Sequence, residues 1–380
     1  MALVVAGLSA AAASQPVVLG VSFEGRGMLA RLDARTLAPI GLRIDVGTGS
    51  TSLVARSPAG RMIALGHGGI PELRLVDLRT MRATGRLRLP GFGPVLHGFW
   101  PAADRLIVLR AGQDPEVFVV DPRTRRVRSR LRLEGEVAGT ASTAGKLLVL
   151  LAPRAAIGPA RLAIVRREGT IRTVALPGIT AGFAPPLNEE TPGRQASPGL
   201  AVAPTGSRAT VVSPDALLDI DLNTLVVRRE PLSVRSPARV GKWIEGWGRR
   251  AVWIDDDTIA VSGWSFSLVG KQPTQSRIAV SLVDVRSGET SVLDPTAAWV
   301  TRVGDTLLAS GGSALRGYRL DGTVRFELLA GEDSGYVQAA GRFAYVGSGN
   351  STRFVVVDTV AGQVLGTVRT PYSTIVLGPG

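Results

Sequence analysis

Short apolar runs alternate with polar turns along nearly the whole chain. Near the C-terminus, FVVVDTVAGQVLGTV (354–368) contains an apolar run that ends in an aspartate, a short turn and a second, interrupted apolar run. Runs of this length between turn residues predict β-strands, and the near-continuous apolar runs predict strands that are covered on both faces. No long stretch has the period of a helix. The pattern therefore predicts an all-β protein.

The arrangement of strand, aspartate, turn and strand recurs about every 40 residues, which with four short strands per copy is typical of a β-propeller blade. The aspartates of the successive copies are Asp33, Asp77, Asp121, Asp221, Asp284, Asp321 and Asp358. One further copy, around residues 167–170, lacks the aspartate. We therefore predict a single β-propeller of eight blades with four antiparallel strands each. Seven blades are the alternative if the irregular region 180–295 holds one blade fewer.

Within one copy the four predicted strands follow each other closely. In the second copy they are STSLVARSP, RMIALG, ELRLVD and ATGRLRL. The aspartate ends the third strand, where its carboxylate can accept backbone N–H groups two or three residues later and close the hairpin. The first copy supplies only three strands, and YSTIVLG (372–378) is left over at the C-terminus. We therefore expect this last strand to complete the first blade and to close the ring.

Length and composition favour one repeat array. The 380 residues exceed the roughly 250–300 at which a single core stops growing, and the 46 glycines and 24 prolines fit a folded, turn-rich protein. Residues 2–13, ALVVAGLSAAAA, form an apolar run that ends in small residues, as in a secretory signal. The basic segment that usually precedes such a run is missing, because the run begins directly after Met1. We divide the chain into a signal segment, 1–13, and a propeller domain, 14–380. No membrane span is expected after the N-terminal segment.

Charge and cysteine content narrow the chemistry. The absence of cysteine excludes disulfides, a thiolate metal site and a cysteine nucleophile. The formal net charge is +13, and all but three of the 44 basic residues are arginines, which reflects either a GC-rich genome or an anionic partner. One predicted outer strand carries Arg126, Arg128, Arg130 and Arg132. Because they alternate with other residues, we expect all four on one face, where they discourage edge-to-edge association or bind a polyanion.

The last copy resembles a known repeat. Residues 343–368 contain Tyr345 and Val346, a polar loop, an apolar strand that ends in Asp358, and a turn followed by a strand with Val364. This segment resembles the YVTN repeat, and most of the chain resembles YVTN and WD-repeat-like propellers more loosely. The resemblance implies the fold. It implies little about function, because propellers serve as binding scaffolds, lactonases and quinoprotein dehydrogenases alike.

The repeat is irregular in the fifth and sixth copies, and insertions in repeat proteins often form a binding site. Three segments, 180–198, 234–248 and 265–276, are longer than the other copies predict. Four of the six tryptophans lie in the sixth copy. We therefore predict a stacking platform for a sugar or a peptide, built from Trp243, Trp247, Trp264, Glu189, Glu190, Arg194, Lys242 and Glu245. The alternative is that the aromatic residues fill the core of an oversized blade.

Histidines and acidic residues offer other candidate chemistry. His97, on the predicted inner strand VLHGFWP, could bind a ligand in the central channel or act as an acid or base, although a packed or hydrogen-bonded role is the favoured interpretation. His67 lies in GHGG, which is similar to an oxyanion loop, but no G-x-S-x-G motif is present. Asp255, Asp256 and Asp257 could bind calcium. Their place between two predicted strands favours a turn instead.

We predict a secreted or cell-surface protein that is a non-catalytic binding scaffold rather than an enzyme, because no phosphate loop, zinc motif or catalytic triad is recognisable. The alternative is a propeller enzyme of the lactonase or quinoprotein-dehydrogenase type with its site at the central channel. A third possibility is an intracellular protein-interaction propeller, if residues 1–13 are retained. We expect no cofactor and no metal, a monomeric state, and a protein or a cell-wall polymer as the partner rather than nucleic acid.

Overall fold

Within the described part of the chain, all regular structure is β-structure: 33 strands form seven sheets, and no helix is present. The computed structural model describes residues 18–22, 27–47, 51–112, 114–143, 145–185, 193–232, 246–269, 272–332, 334–347 and 352–376. The prediction of an all-β propeller is confirmed. The described residues also contain no helix that is long and apolar enough to cross a membrane.

Six of the sheets have four antiparallel strands each. Sheet I contains β1 (Val18–Ser22), β2 (Gly27–Leu32), β3 (Pro39–Gly47) and the C-terminal strand β33 (Tyr372–Val376). Sheet II contains β4 (Thr51–Arg56), β5 (Met62–His67), β6 (Glu72–Asp77) and β7 (Arg82–Arg88). Sheet III contains β8 (Val95–Ala102), β9 (Arg105–Arg110), β10 (Glu116–Asp121) and β11 (Arg126–Arg132).

Sheets V, VI and VII repeat the same arrangement in the second half of the chain. Sheet V contains β17 (Gly199–Val202), β18 (Arg208–Val212), β19 (Ala216–Asp221) and β20 (Val227–Pro231). Sheet VI contains β25 (Trp299–Val303), β26 (Thr306–Ser310), β27 (Leu315–Arg319) and β28 (Val324–Leu328). Sheet VII contains β29 (Tyr336–Ala340), β30 (Phe343–Gly347), β31 (Arg353–Asp358) and β32 (Gln363–Arg369).

Sheet IV has nine strands, which the sequence did not predict. Its first four are β12 (Glu136–Ser142), β13 (Lys146–Ala152), β14 (Ile157–Arg166) and β15 (Ile171–Ala184). Its last four are β21 (Gly246–Trp253), β22 (Thr258–Val269), β23 (Gln272–Asp284) and β24 (Thr290–Asp294). Between them lies β16 (Arg194–Ser197), which is antiparallel to β15 and parallel to β21. Six separate blades form rather than the eight predicted, because β16 joins two predicted blades by backbone hydrogen bonds.

The first sheet takes its fourth strand from the C-terminal end of the chain. β33 pairs antiparallel with β1, with Val18 opposite Val376 and Ser22 opposite Tyr372. The first and last sheets also pack against each other, since Val18 and Tyr345 belong to one buried apolar cluster. The hydroxyl of Tyr345 donates a hydrogen bond of 2.8 Å to the carbonyl oxygen of Ala34.

The core consists of apolar layers between successive sheets. Leu147, Val149 and Leu151 of β13 pack towards sheet III, and Leu148 and Leu150 of the same strand pack towards sheet V. All five side chains are buried. The continuous apolar run is therefore explained by burial on both faces of the strand, as its pattern predicted.

The recurring aspartate closes the hairpin between the third and fourth strands, as predicted. In six described copies one carboxylate oxygen accepts the backbone N–H groups two and three residues later, and in sheet II these donors are Arg79 at 2.9 Å and Thr80 at 3.0 Å from Asp77. The other five are Asp33, Asp121, Asp221, Asp284 and Asp358. Asp321 instead accepts the N–H and hydroxyl of Thr323. The repeat is thus a turn motif.

Candidate functional site

The three long segments meet in sheet IV. The end of β15 and β16 come from 180–198, the start of β21 comes from 234–248, and the β22–β23 hairpin comes from 265–276. Backbone pairing joins them side by side, since Gln195 lies opposite Phe183 on one side and opposite Gly246 on the other. Residues far apart in sequence therefore form one extension of the sheet, at the end where β21 begins.

The structure describes four of the predicted ligand-binding residues: His97, Arg194, Trp247 and Trp264. The other five, Glu189, Glu190, Lys242, Trp243 and Glu245, lie outside the described residues. The geometry of the predicted platform can therefore be followed through the four described residues alone.

Trp247 and Trp264 lie on opposite faces of the sheet. Residues directly opposite each other in neighbouring strands share a face, and successive residues alternate. Trp264 is opposite Gly248, whereas Trp247 is opposite Ser265. Arg194 shares the face of Trp247, because Trp247 is opposite Ala196, two residues further along β16. The tryptophans therefore do not form the single platform that the sequence suggested.

The face with Trp247 is occupied by the protein itself. The guanidinium of Arg249, only 3% exposed, lies 5.8 Å from the Trp247 ring centroid. It donates hydrogen bonds to the carbonyl oxygens of Gly248 at 3.0 Å and Trp264 at 3.2 Å. Burial lowers the pKa of Arg249 to about 10, so the side chain remains charged at neutral pH. These contacts give Trp247 and Arg249 a packing role.

The opposite face carries an open aromatic surface. The Trp264 indole lies over Gly248, where a Cβ atom would be 2.6–2.7 Å from three indole atoms. Phe183, which is 49% exposed, shares this face through its pairing with Gln195. The exposed Gln195 donates a hydrogen bond of 2.9 Å to Ser197 Oγ. Trp264, Phe183 and Gln195 therefore share one face of the sheet, and the missing side chain of Gly248 leaves room for the indole.

A cation on an aromatic ring continues the same face. Arg250 lies two residues beyond Gly248 and is opposite Ser262, so it is a diagonal neighbour of Trp264. Its guanidinium is 4.3 Å from the ring centroid of Trp299 on β25, and the Trp299 ring packs against Gly311. Arg250 is exposed and, among the described residues, forms no ion pair. We call Phe183, Gln195, Trp264, Arg250 and Trp299 the aromatic face.

The electrostatics of this extension are positive. In and directly beside the three segments, the charged residues that the structure describes are Arg194, Arg249, Arg250 and Arg277. The exposed guanidinium of Arg250 is held in place by a ring rather than by a carboxylate. It can therefore bind an anionic group of a ligand that stacks on the neighbouring aromatic side chains.

His97 belongs to a different place. It lines a cavity of about 460 Å³ between sheets II, III and IV, together with Leu53, Phe99 and Ser142. The His97 Nε2 atom lies 3.1 Å from Ser142 Oγ, and burial lowers the pKa of the imidazole below its ordinary value of 6.5. The ring is thus predominantly neutral at pH 7. No tryptophan of the aromatic face lines this cavity.

The acidic triplet 255–257 forms a turn between β21 and β22. One carboxylate oxygen of Asp255 accepts the N–H groups of Asp257 at 2.9 Å and Thr258 at 2.7 Å. Asp257 pairs with Arg208 and Arg286. Within the described residues no group of His, Asp or Glu side chains is arranged to hold a metal ion. The hydrogen bonds of Asp255 thus form the predicted turn.

The arginines of β11 do not share one face, contrary to the prediction. A β-bulge at Arg128 shifts the register, so that Arg130 and Arg132 share one face while Arg126 lies on the other. Arg128 pairs with Asp104 and Asp121, and Arg130 pairs with Glu116. Most of this charge is therefore balanced by carboxylates of the same sheet.

Sequence reasoning missed Phe183, Gln195, Arg250 and Trp299. Phe183 and Gln195 lie within 180–198, a segment that is longer than the other copies predict. The aromatic and amide residues of this segment could therefore have been proposed as ligand-binding residues. Arg250 and Trp299 are on strands of two different sheets and meet only through packing. No local pattern indicates that contact.

Comparison with known proteins supports the fold. No protein-family model and no curated protein matches the chain. The solved structure "Dihydro-heme d1 dehydrogenase NirN in complex with DHE" aligns with a TM-score of 0.63 at 12% identity, covering 94% of this chain and 74% of that one. Apo AztD from Citrobacter koseri aligns with a TM-score of 0.57 at 12% identity, covering 96% of this chain and 98% of that one.

BamB from Moraxella catarrhalis gives a TM-score of 0.51 at 11% identity, covering 87% of this chain and 90% of that one. At these identities the likeness concerns the fold alone. The neighbours include a dehydrogenase by its own title, so the fold leaves the choice between binding protein and enzyme to the site.

Proposed function

We propose that this protein is a non-catalytic propeller whose aromatic face binds a glycan. The observation that carries the proposal is the position of Trp264 over Gly248, on the same face of the sheet as the exposed Phe183 and Gln195. The apolar faces of sugar rings pack on aromatic rings, and an amide can exchange hydrogen bonds with sugar hydroxyls. The partly exposed indole and the half-exposed phenyl ring offer such a surface without any rearrangement.

The charge of the site selects the class of glycan. Arg250 presents an exposed guanidinium on the same face as Trp264, and its stacking on Trp299 fixes its position. A planar guanidinium binds carboxylate or sulfate oxygens in pairs. The favoured ligand is therefore an acidic polysaccharide, a cell-wall polymer with carboxylate groups, rather than a neutral one.

The test measures binding of hexagalacturonate and of cellohexaose by isothermal titration calorimetry. Wild-type protein is expected to bind hexagalacturonate more tightly, and Trp264→Ala is expected to weaken binding about tenfold, a loss of about 1.4 kcal/mol. Trp247→Ala is the matched control, because it removes an indole from the opposite face. If neither sugar binds, or if the two variants lose equal affinity, the aromatic face is not a glycan site.

We also propose that the sheets close into a ring in which sheet VII packs against sheet I. Apolar clusters between neighbouring sheets support this arrangement, including the cluster that joins sheets VII and I. Hydrogen–deuterium exchange would test it, because β1 and β33 should be protected as strongly as strands within sheet II. Rapid exchange of both strands would indicate an open array.

Export is the location that we propose. It rests on the apolar residues 2–13, which lie outside the described residues. Expression from the native start with a C-terminal tag, followed by N-terminal sequencing of extracytoplasmic protein, tests it. The expected mature chain begins after Ala13. Protein that keeps Met1 and remains in the cytoplasm would instead support the intracellular alternative.

A second candidate is a hydrolase with its site at the His97 cavity. The contact between His97 Nε2 and Ser142 Oγ favours it, because a neutral imidazole beside a hydroxyl can act as a general base. A pH-stat assay with γ- and δ-lactones would reveal turnover that His97→Gln and Ser142→Ala both abolish. Turnover that survives both substitutions, or none with any lactone tested, would leave binding as the better explanation.

A further inference from the structure

Three large apolar side chains are exposed on adjoining segments of sheets II and III. Phe92 is 89% exposed, Leu96 42% and Ile70 41%. Their segments are joined by a 2.7 Å hydrogen bond from the N–H of Leu89 to the carbonyl oxygen of Pro71. We call these three residues the Phe92 patch. It lies outside the aromatic face and outside the His97 cavity.

The backbone forces Phe92 outward. Gly91 and Gly93, on either side of it, have φ angles of 86° and 108°, which other residues rarely adopt. A Cβ atom on Gly93 would lie 1.9 Å from the carbonyl oxygen of Ala111. The two glycines allow the loop to adopt this shape, in which the phenyl ring lies in solvent.

A buried arginine anchors the same loop. Arg110 donates a hydrogen bond to the carbonyl oxygen of Phe92 and pairs with Glu116, and both charged side chains are almost fully buried. The Ala111 N–H donates a 2.9 Å hydrogen bond to the carbonyl oxygen of Pro94. Burying an ion pair is costly unless it is well bonded, and the hydrogen bond from Arg110 to the Phe92 carbonyl oxygen helps to satisfy this pair.

A β-bulge exposes the third side chain. The register between β8 and β9 shifts between Val95 and His97, which leaves Leu96 without a partner. Bulges redirect the side chain of the extra residue. Leu96 therefore points away from the apolar layers that contain Val95 and Phe99.

The surroundings of the patch carry excess positive charge. Phe92 borders a cavity of about 430 Å³ that also contacts Arg130, Arg132 and Asp114. Arg132 and Arg154 share the carboxylate of Asp114, and Arg110 and Arg130 share that of Glu116. Four guanidiniums thus share two carboxylates. Arg130, Arg132 and Arg154 are each at least half exposed and can accept further anionic partners.

We propose that the Phe92 patch is a docking site for an acidic peptide segment of a partner protein, with at least one large apolar side chain that packs on Phe92. Preorganised aromatic residues with arginines around them are the usual anchors of protein interfaces. Charge complementarity favours an acidic segment, since its carboxylates complete the pairing of the shared arginines. The cavity beside Phe92, lined by Arg130 and Arg132, receives the carboxylates of the peptide.

The experiment selects random peptides displayed on phage against the full propeller domain and measures the enriched sequence, made synthetically, by fluorescence anisotropy. Enriched peptides are expected to combine Asp or Glu with an aromatic or aliphatic residue, and to bind less tightly at high salt. Phe92→Ala is expected to weaken binding about tenfold. The matched control is Leu42→Ala, because Leu42 is 62% exposed on β3 and lies outside the patch.

Gly93→Ala tests whether the loop conformation that exposes Phe92 matters for binding, separately from the phenyl ring itself. It keeps Phe92 but displaces the loop, so affinity should fall while the far-ultraviolet circular dichroism spectrum stays unchanged. Failure to enrich any peptide, or a peptide that binds Phe92→Ala as well as wild type, overturns the proposal. Sedimentation with vesicles of phosphatidylcholine and phosphatidylglycerol that depends on Phe92, without peptide binding, overturns it in favour of a lipid surface.

Discussion

At the scale of single residues, the turn aspartates link hydrogen bonding to the pH dependence of folding. The N–H of Thr80, and then the side chain of Arg61 and the N–H of Arg79, lower the pKa of Asp77 to about 2. Six described copies make the same pair of backbone bonds, so these carboxylates jointly favour the folded chain wherever they are ionised.

Asp77→Asn is expected to reduce the acid sensitivity of folding. Because the pKa of Asp77 is lowered in the fold, its stabilising effect is complete above about pH 4 and is lost as the pH falls towards 2. Urea unfolding from pH 2 to pH 7 should show a lower midpoint for the variant at pH 7 and a smaller difference near pH 2. Asp256→Asn is the control, since that carboxylate accepts no hydrogen bond within the described residues. Equal pH profiles for Asp77→Asn and wild type would contradict the argument.

His97 should make the fold less stable in mild acid. Burial lowers its pKa, so below about pH 6.5 the unfolded chain binds a proton that the folded chain resists, and stability decreases as the pH falls. His97→Gln should flatten this decrease in thermal unfolding between pH 5 and pH 7. His67→Gln is the control, because His67 lies outside the cavity that His97 lines. An unchanged slope in His97→Gln would show that other groups titrate.

At the scale of elements, the sequence predicted the strands well and their partners less well. Alternation and apolar runs identify β4 to β7 almost residue by residue, because burial on each face leaves a pattern along the strand. The bulge at Arg128 leaves no such trace, and it moves Arg126 to the other face. The parallel pairing of β16 with β21 joins residues some 50 positions apart. The local alternation of apolar and polar residues cannot predict such a pairing.

The same reasoning explains the candidate site. The sequence predicts a candidate site in the long fifth and sixth copies, because segment length is visible in the sequence. The division of Trp247 and Trp264 between two faces could not be predicted, since it depends on the register between β21 and β22.

Gly248→Val should displace Trp264 and so weaken ligand binding at the aromatic face. A side chain there would meet the Trp264 ring and displace it, with a cost of about 1–3 kcal/mol from overpacking. Denaturant unfolding measures the cost, and titration with hexagalacturonate measures the loss of binding. Gly145→Ala is the control, because a Cβ atom there has nothing within 4 Å. A variant with wild-type binding would show that Trp264 does not depend on Gly248.

At the scale of the whole molecule, the C-terminal strand connects the two ends of the sequence. Tyr372 of β33 is buried in the cluster that joins sheets I and VII, and β1 has β33 as its neighbour on one side. Sheet I and its contact with sheet VII therefore depend on a strand that comes from the other end of the described chain.

Removal of residues 372–380 should destabilise the whole domain. It uncovers the backbone edge of β1 and removes the buried Tyr372 ring, whose loss alone costs about 3 kcal/mol or more. We expect a lower melting temperature and aggregation in size-exclusion chromatography. Removal of 377–380 alone, which keeps β33, is the control. Identical melting of both truncations would mean that β33 contributes nothing to the domain.

The pairing of β1 with β33 also has a mechanical consequence. Val18, the first residue of β1, is opposite Val376, the last residue of β33, so a force that pulls the two chain ends apart acts on the same end of the pair. The hydrogen bonds then break one after another, as in a zipper, instead of sharing the load in shear. Tension between the termini should peel β33 away first, at low force.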